Sequence, residues 1–199
     1  MPKLTADELS ALNLELANVC MTRKTDINTI ATLLEQGAEI NNRDYREQTP
    51  LALAVKSGLD IVVDCLIKNG ADIYSRHEYE RTVLMTIVGD KGERYLNILN
   101  MIISHAKTTG IEISHFLNAV DTQHDTALIY AIKVNNITAC ALLLEAGASC
   151  DLGDKHGNSP LMLANSNNGI NDVTKRYRCR RSHHPNAYQA AAQGWCKPS

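Results

Sequence analysis

A short motif returns along this chain at a fixed interval, and the interval limits what the chain can fold into. Thr49-Pro50-Leu51-Ala52-Leu53-Ala54 recurs 33 residues later as Thr82-Val83-Leu84-Met85-Thr86-Ile87. It returns 44 residues further on as Thr126-Ala127-Leu128-Ile129-Tyr130-Ala131, and after another 33 as Ser159-Pro160-Leu161-Met162-Leu163-Ala164. A second marker keeps the same register: Gly37-Ala38-Glu39-Ile40, Gly70-Ala71-Asp72-Ile73 and Gly147-Ala148-Ser149-Cys150, with glycines 33 and 77 residues apart. Both series skip the same 11 extra residues in the middle of the chain. A period of this length marks stacked supersecondary units, none of which can bury its apolar face alone.

Each period reads physically as two short helices and a polar connection. The Thr or Ser ahead of the leucine is a helix N-cap, whose hydroxyl accepts from an amide of the first turn. Pro50 and Pro160 follow at the first helical position, where the missing N–H costs nothing. Small residues such as Ala54 and Ala131 allow close approach to a neighbouring helix. Gly58 and Asn135 suit the left-handed residue that ends the first helix. A second helix then carries Ile61, Val62, Leu66 and Ile67 in one period, and Ile137, Leu142 and Leu143 in another. Gly70 or Gly147 ends it, and a polar hairpin leads to the next cap. Ahead of the first period, Thr5-Ala6-Asp7-Glu8 reads as a capping box.

Composition agrees with thin helical layers. Aromatic residues make up 5% of the chain, so its core is built from Leu, Ile, Val and Ala. Twenty Lys and Arg stand against 22 Asp and Glu, a formal net charge of −2, which argues against a polycationic nucleic-acid binder. No apolar run reaches the roughly 18–20 residues that span a bilayer. Acids at Asp7 and Glu8 stand where a secretory leader would be apolar, so the expectation is a cytoplasmic protein without N-terminal secretion. Six scattered cysteines in a chain long enough to hold a core without staples predict reduced thiols, with Cys65, Cys140 and Cys150 facing inward.

The pattern resembles the ankyrin repeat. Asp154-Lys155-His156-Gly157-Asn158-Ser159-Pro160-Leu161, then Leu163-Ala164, is similar to that family's hairpin and first-helix signature. Leu33-Leu34-Glu35-Gln36-Gly37-Ala38-Glu39-Ile40-Asn41 is similar to its second-helix ending. The resemblance implies an all-α solenoid of helix-turn-helix units joined by β-hairpin loops, over residues 1–178. Its five repeats run from about 9–43, 44–76, 77–120, 121–153 and 154–178. In the first, Leu14-Glu15-Leu16-Ala17 stands where later repeats have Leu-x-x-Ala, ahead of a longer turn at Met21–Thr25. The third carries the 11 extra residues, about three in its inner turn (Gly89–Arg94) and eight near Lys107–Ser114, read as a surface loop or as a lengthened finger toward a partner.

Nothing in the chain matches a Gly-rich phosphate loop, a zinc-protease helix, a nucleophile elbow or a CxxC pair. The expectation is therefore no enzyme, no catalytic residue, no cofactor and no metal. The resemblance implies instead a monomeric scaffold that binds a partner protein through its concave face. Its hairpin tips would be Tyr45 and Arg46, Glu78 and Tyr79, Thr122 and Gln123, and Lys155 and His156. Its exposed first-helix positions would be Leu53, Lys56, Thr86, Tyr130 and Lys133. Tyr45, Tyr79 and Tyr130 are the favoured anchors, because aromatic side chains dominate many interfaces.

Residues 179–199 are expected to form a basic, disordered tail. From residue 174 onward there are six basic residues and no acid. That bias supports an alternative, nucleic-acid or membrane-surface binding through the tail; another is a regulatory subunit of an enzyme complex. A secreted effector acting in a host cytosol is a special case of the adaptor. Cys179, His183, His184 and Cys196 fit no common zinc template.

Overall fold

The computed structural model describes residues 4–23, 27–109 and 112–165. The second helix expected in the fifth repeat and the tail from 179 lie outside the described residues. The chain divides into two compact units, Met1–Glu112 and Ile113–Ser199.

The N-terminal unit pairs helices in sequence. α1 (Ala6–Val19) packs on α2 (Ile27–Glu35), α3 (Pro50–Lys56) on α4 (Asp60–Lys68), and α5 (Val83–Val88) on α6 (Glu93–Thr108). First helices stack on first helices, α3 lying against both α1 and α5, while α4 lies against α2 and α6. The caps form as their sequences dictate. Thr5 and Glu8 close a reciprocal box, with Thr5 N–H donating to Glu8 Oε2 at 2.8 Å. That bond and the Thr5 hydroxyl hold the Glu8 carboxyl below the ordinary carboxylate range. Thr49 Oγ1 accepts from Ala52 N–H at 3.3 Å. Gly58 takes φ 64° in the turn between α3 and α4, and a Cβ there would meet the Tyr95 ring at 3.1 Å. Only glycine meets both demands at once.

In the C-terminal unit, α7 (Ile113–Leu117) precedes α8 (Ala127–Lys133), which packs on α9 (Ile137–Ala146) and on α10 (Pro160–Asn165). Thr126 Oγ1 accepts from Ile129 N–H at 3.2 Å, and Asn136 Oδ1 from Ala139 N–H at 3.1 Å. Gly147 ends α9 at φ 107°.

Aliphatic side chains fill both units. Leu51, Leu66, Leu84, Ile98, Leu99 and Ile102 are fully buried in the first, and Leu128, Ile132 and Leu143 in the second. Cys65, Cys140 and Cys150 are buried and free, as their register predicts, and Cys20 joins them. Burial pushes the Cys20 and Cys140 thiols up to about 12, leaving them protonated and unreactive at neutral pH.

Two expectations are corrected. Of the eight added residues assigned to a loop near Lys107–Ser114, Lys107 and Thr108 are helical, as are Ile113 and Ser114. α6 runs 16 residues, to Thr108, and α7 follows with Phe116 and Leu117 buried. No glycine interrupts the chain between Gly92 and Gly110, so nothing stops the helix where the other repeats stop theirs. Leu14, aligned with the core leucines, is 64% exposed, and α1 buries Leu16 and Asn13 instead. Ile61 and Ile137 lie on the second helices as expected, near their starts, and are exposed.

Candidate protein-binding surface

Three hairpins are built around one carboxylate each. Asp44 Oδ1 accepts from the backbone N–H groups of Arg46 and Gln48, at 2.8 and 2.9 Å. Asp121 does the same for Gln123 and Asp125 at 2.8 and 3.0 Å, and Asp154 for His156 and Asn158 at 2.9 Å each. The third repeat has His77 in that register. Its hairpin closes instead with the strand pair β1 (Arg76–His77) and β2 (Arg81–Thr82), register Arg76↔Thr82, around a 3-10 turn at Glu78–Glu80. The His77 ring shares a 3.1 Å hydrogen bond, through Nε2, with the Thr86 hydroxyl. Burial lowers the His77 pKa below its ordinary value, and the Arg81 and Lys56 charges add to the effect.

The tips of the N-terminal unit are fixed to one another. Arg43 pairs with Glu47 at 3.2 Å and donates across to the Arg76 carbonyl at 2.7 Å. Thirty-three residues on, Arg76 pairs with Glu80 at 3.6 Å. This frame presents Tyr45, 88% exposed with the Arg46 guanidinium 5.3 Å from its ring centre, and Tyr79, 59% exposed with Arg81 at 5.4 Å. Glu78 and Lys56 are exposed beside them, and Thr86 is half-buried.

In the C-terminal unit Thr122, Gln123, Lys155 and His156 are exposed at the hairpins. The Lys155 ammonium donates to the Gln123 side-chain carbonyl. Tyr130 is half-buried, its hydroxyl donating to Asp121 Oδ2 at 2.7 Å. Lys133 Nζ reaches Asp125 Oδ2 at 2.6 Å.

One expected contact is corrected. Leu53, assigned to the exposed face of the first helix, is 6% exposed, and every residue of α3 from Pro50 to Val55 is buried with it. A seven-residue helix with α1, α4 and α5 against it has little free circumference.

Sequence reasoning also missed a contributor. A groove of about 340 Å³ lies between α1 and the first hairpin, lined by Ser10, Asn13 and Leu14 on one side and Arg43, Tyr45 and Gln48 on the other. The helical spacing of Ser10, Leu14 and Ala17 was the available signal.

Stacked helix pairs joined by hairpins, with polar tips recurring at intervals of 33, 44 and 33 residues, define a helical repeat array. The chain belongs to the ankyrin repeat family. A family model of ankyrin repeats in three copies matches residues 92–175, and a single ankyrin repeat matches 46–75, together more than half of the chain. Among its relatives is Neurogenic locus notch homolog protein 1. The human protein is 35% identical over 133 residues, covering 66% of this chain and 5% of the relative. The mouse protein is 34% identical over 132 residues and the zebrafish (Danio rerio) protein 33% over 134, with the same coverage. This chain therefore spans about one twentieth of the length of these relatives. Among the described residues no helix is long and apolar enough to cross a membrane.

Proposed function

We propose that this chain is a non-catalytic cytoplasmic adaptor, holding a partner protein against its hairpin tips and the accessible flanks of its first helices. The observation that carries this reading is Tyr45. A tyrosine 88% exposed, on a hairpin tied to the next by the 2.7 Å bond from Arg43 to the Arg76 carbonyl, is an aromatic anchor on a pre-ordered frame. Such anchors lose little conformational freedom on binding. The same tips would serve a secreted effector or a regulatory subunit. Besides Tyr45, the proposed contacts are Arg46, Lys56, Glu78, Tyr79, Thr86, Thr122, Gln123, Tyr130, Lys133, Lys155 and His156.

The test is quantitative capture from native lysate with the full chain and with the double variant Tyr45→Ala/Tyr79→Ala. Loss of one captured protein, at an unchanged melting temperature, supports the reading. Capture unaffected by the double variant but abolished by removing residues 174–199, and falling steeply with salt, supports the tail as the binding element instead.

A further inference from the structure

We infer that the N-terminal unit carries a second docking site, on the turn edge away from the hairpins, for a short segment with aliphatic and acidic side chains. A depression of about 810 Å³ lies there, against about 340 Å³ for the groove beside the first hairpin. It is formed by Thr22 and Arg23 beyond α1, the start of α2, the α3–α4 turn and the first turn of α6. Its volume falls in the range of small-ligand and peptide side-chain sites.

The lining has a definite chemistry. Ile27 is 40% and Ile61 62% exposed, two β-branched side chains left in water although neither serves the core. Arg23 and Arg94 both line the depression and are exposed. Among the described lining residues Asp60 is the one carboxylate, and its Oδ1 accepts the Ile61 backbone N–H at 2.9 Å. The wall is preformed. Tyr95 lies over Gly58 and its hydroxyl donates to the Lys56 carbonyl at 3.1 Å, fastening α6 to the α3–α4 turn.

Two guanidiniums over an aliphatic surface select their occupant. Guanidinium groups take carboxylates through paired N–H donors, while the isoleucines gain by covering with apolar side chains. A basic segment would meet like charge at Arg23 and Arg94. A nucleic acid would satisfy the arginines and leave both isoleucines wet.

The test titrates the isotopically labelled full chain with the capped peptides GELLEG and GKLLKG, following backbone amide shifts by NMR. The acidic peptide should shift the amides of Arg23, Ile61 and Arg94, leave those of Tyr45 and Tyr79 unmoved, and bind about ten-fold tighter than its lysine counterpart. The double variant Arg23→Glu/Arg94→Glu should reverse that preference. Ile61→Ser should weaken the acidic peptide several-fold at an unchanged melting temperature, because the residue lies largely outside the core. Equal binding of the two peptides, shifts confined to the hairpins, or tighter binding of a ten-nucleotide oligothymidylate at the same amides would each overturn the inference.

Discussion

Four hairpin positions in register, Glu47, Glu80, His124 and Gly157, turn left-handed, at φ 60°, 60°, 59° and 78°, and only the last is glycine. An L side chain in that conformation costs about 1–2 kcal/mol. His124→Gly should therefore raise stability by about 1 kcal/mol in urea denaturation, whereas His124→Val should lower it. His77 gives a residue-scale pH dependence. Burial, with Arg81 and Lys56, lowers its pKa in the folded chain, so below about pH 6.5 the unfolded chain binds more protons. Its contribution is fully present above that pH and declines as pH falls toward the lowered folded value. The urea midpoint should drop between pH 7 and pH 5, and His77→Gln should flatten that part of the curve. The caps and turn glycines were legible because each acts through its own side chain or its lack of one. The histidine at 77 breaks a pattern that the neighbouring aspartates obey, and the strand pair formed there depends on partners that no local rule names.

Among the elements, α6 departs most from its register. Its buried stripe, Ile98, Leu99, Ile102 and Ile103, continues to Ala106, and the added length is tied down by a 2.9 Å hydrogen bond between the Tyr74 and Thr109 hydroxyls. Tyr74 occupies the register of Asn41 and Asn118, whose carboxamide oxygens accept the backbone N–H of Asp72 and Ser149 at 2.8 Å each. The longer side chain suits the longer helix. Tyr74→Phe should cost up to about 1 kcal/mol, the bond being exposed, and should loosen the end of α6 first, as deuterium uptake would show. Leu128→Ala, at a fully buried position of α8, should cost about 2–5 kcal/mol in chemical denaturation, while Ile137→Ala at the exposed start of α9 should cost little. Helix identity was legible from period and caps. The burial of Leu53 was not, because it depends on α1 and α5, which flank α3 from other repeats. Leu14 erred the other way, since α1 packs on α2 and α3 and keeps the rest of its circumference in water.

At the scale of the molecule, the exposed ion pairs among the described residues contribute little to holding the repeats together. Arg43–Glu47, Lys68–Asp64 and Arg76–Glu80 are all i,i+4 pairs with side chains 40% or more exposed. Raising salt from low to molar concentration should leave Tm almost unchanged, since exposed pairs are worth less than about 1 kcal/mol and are screened. A large salt-induced loss would show that these pairs are stabilising after all. Stability rests instead on aliphatic layers and on backbone ties between successive repeats. Those ties turn two amides into sentinels. The N–H of Asp72 lies in the second repeat, but its acceptor, Asn41, belongs to the first; Ser149 in the fourth repeat depends likewise on Asn118 in the third. Each amide stays closed to solvent deuterium only while the repeat before its own is in place, so its exchange rate reports how far fraying has advanced along the stack, one neighbour at a time.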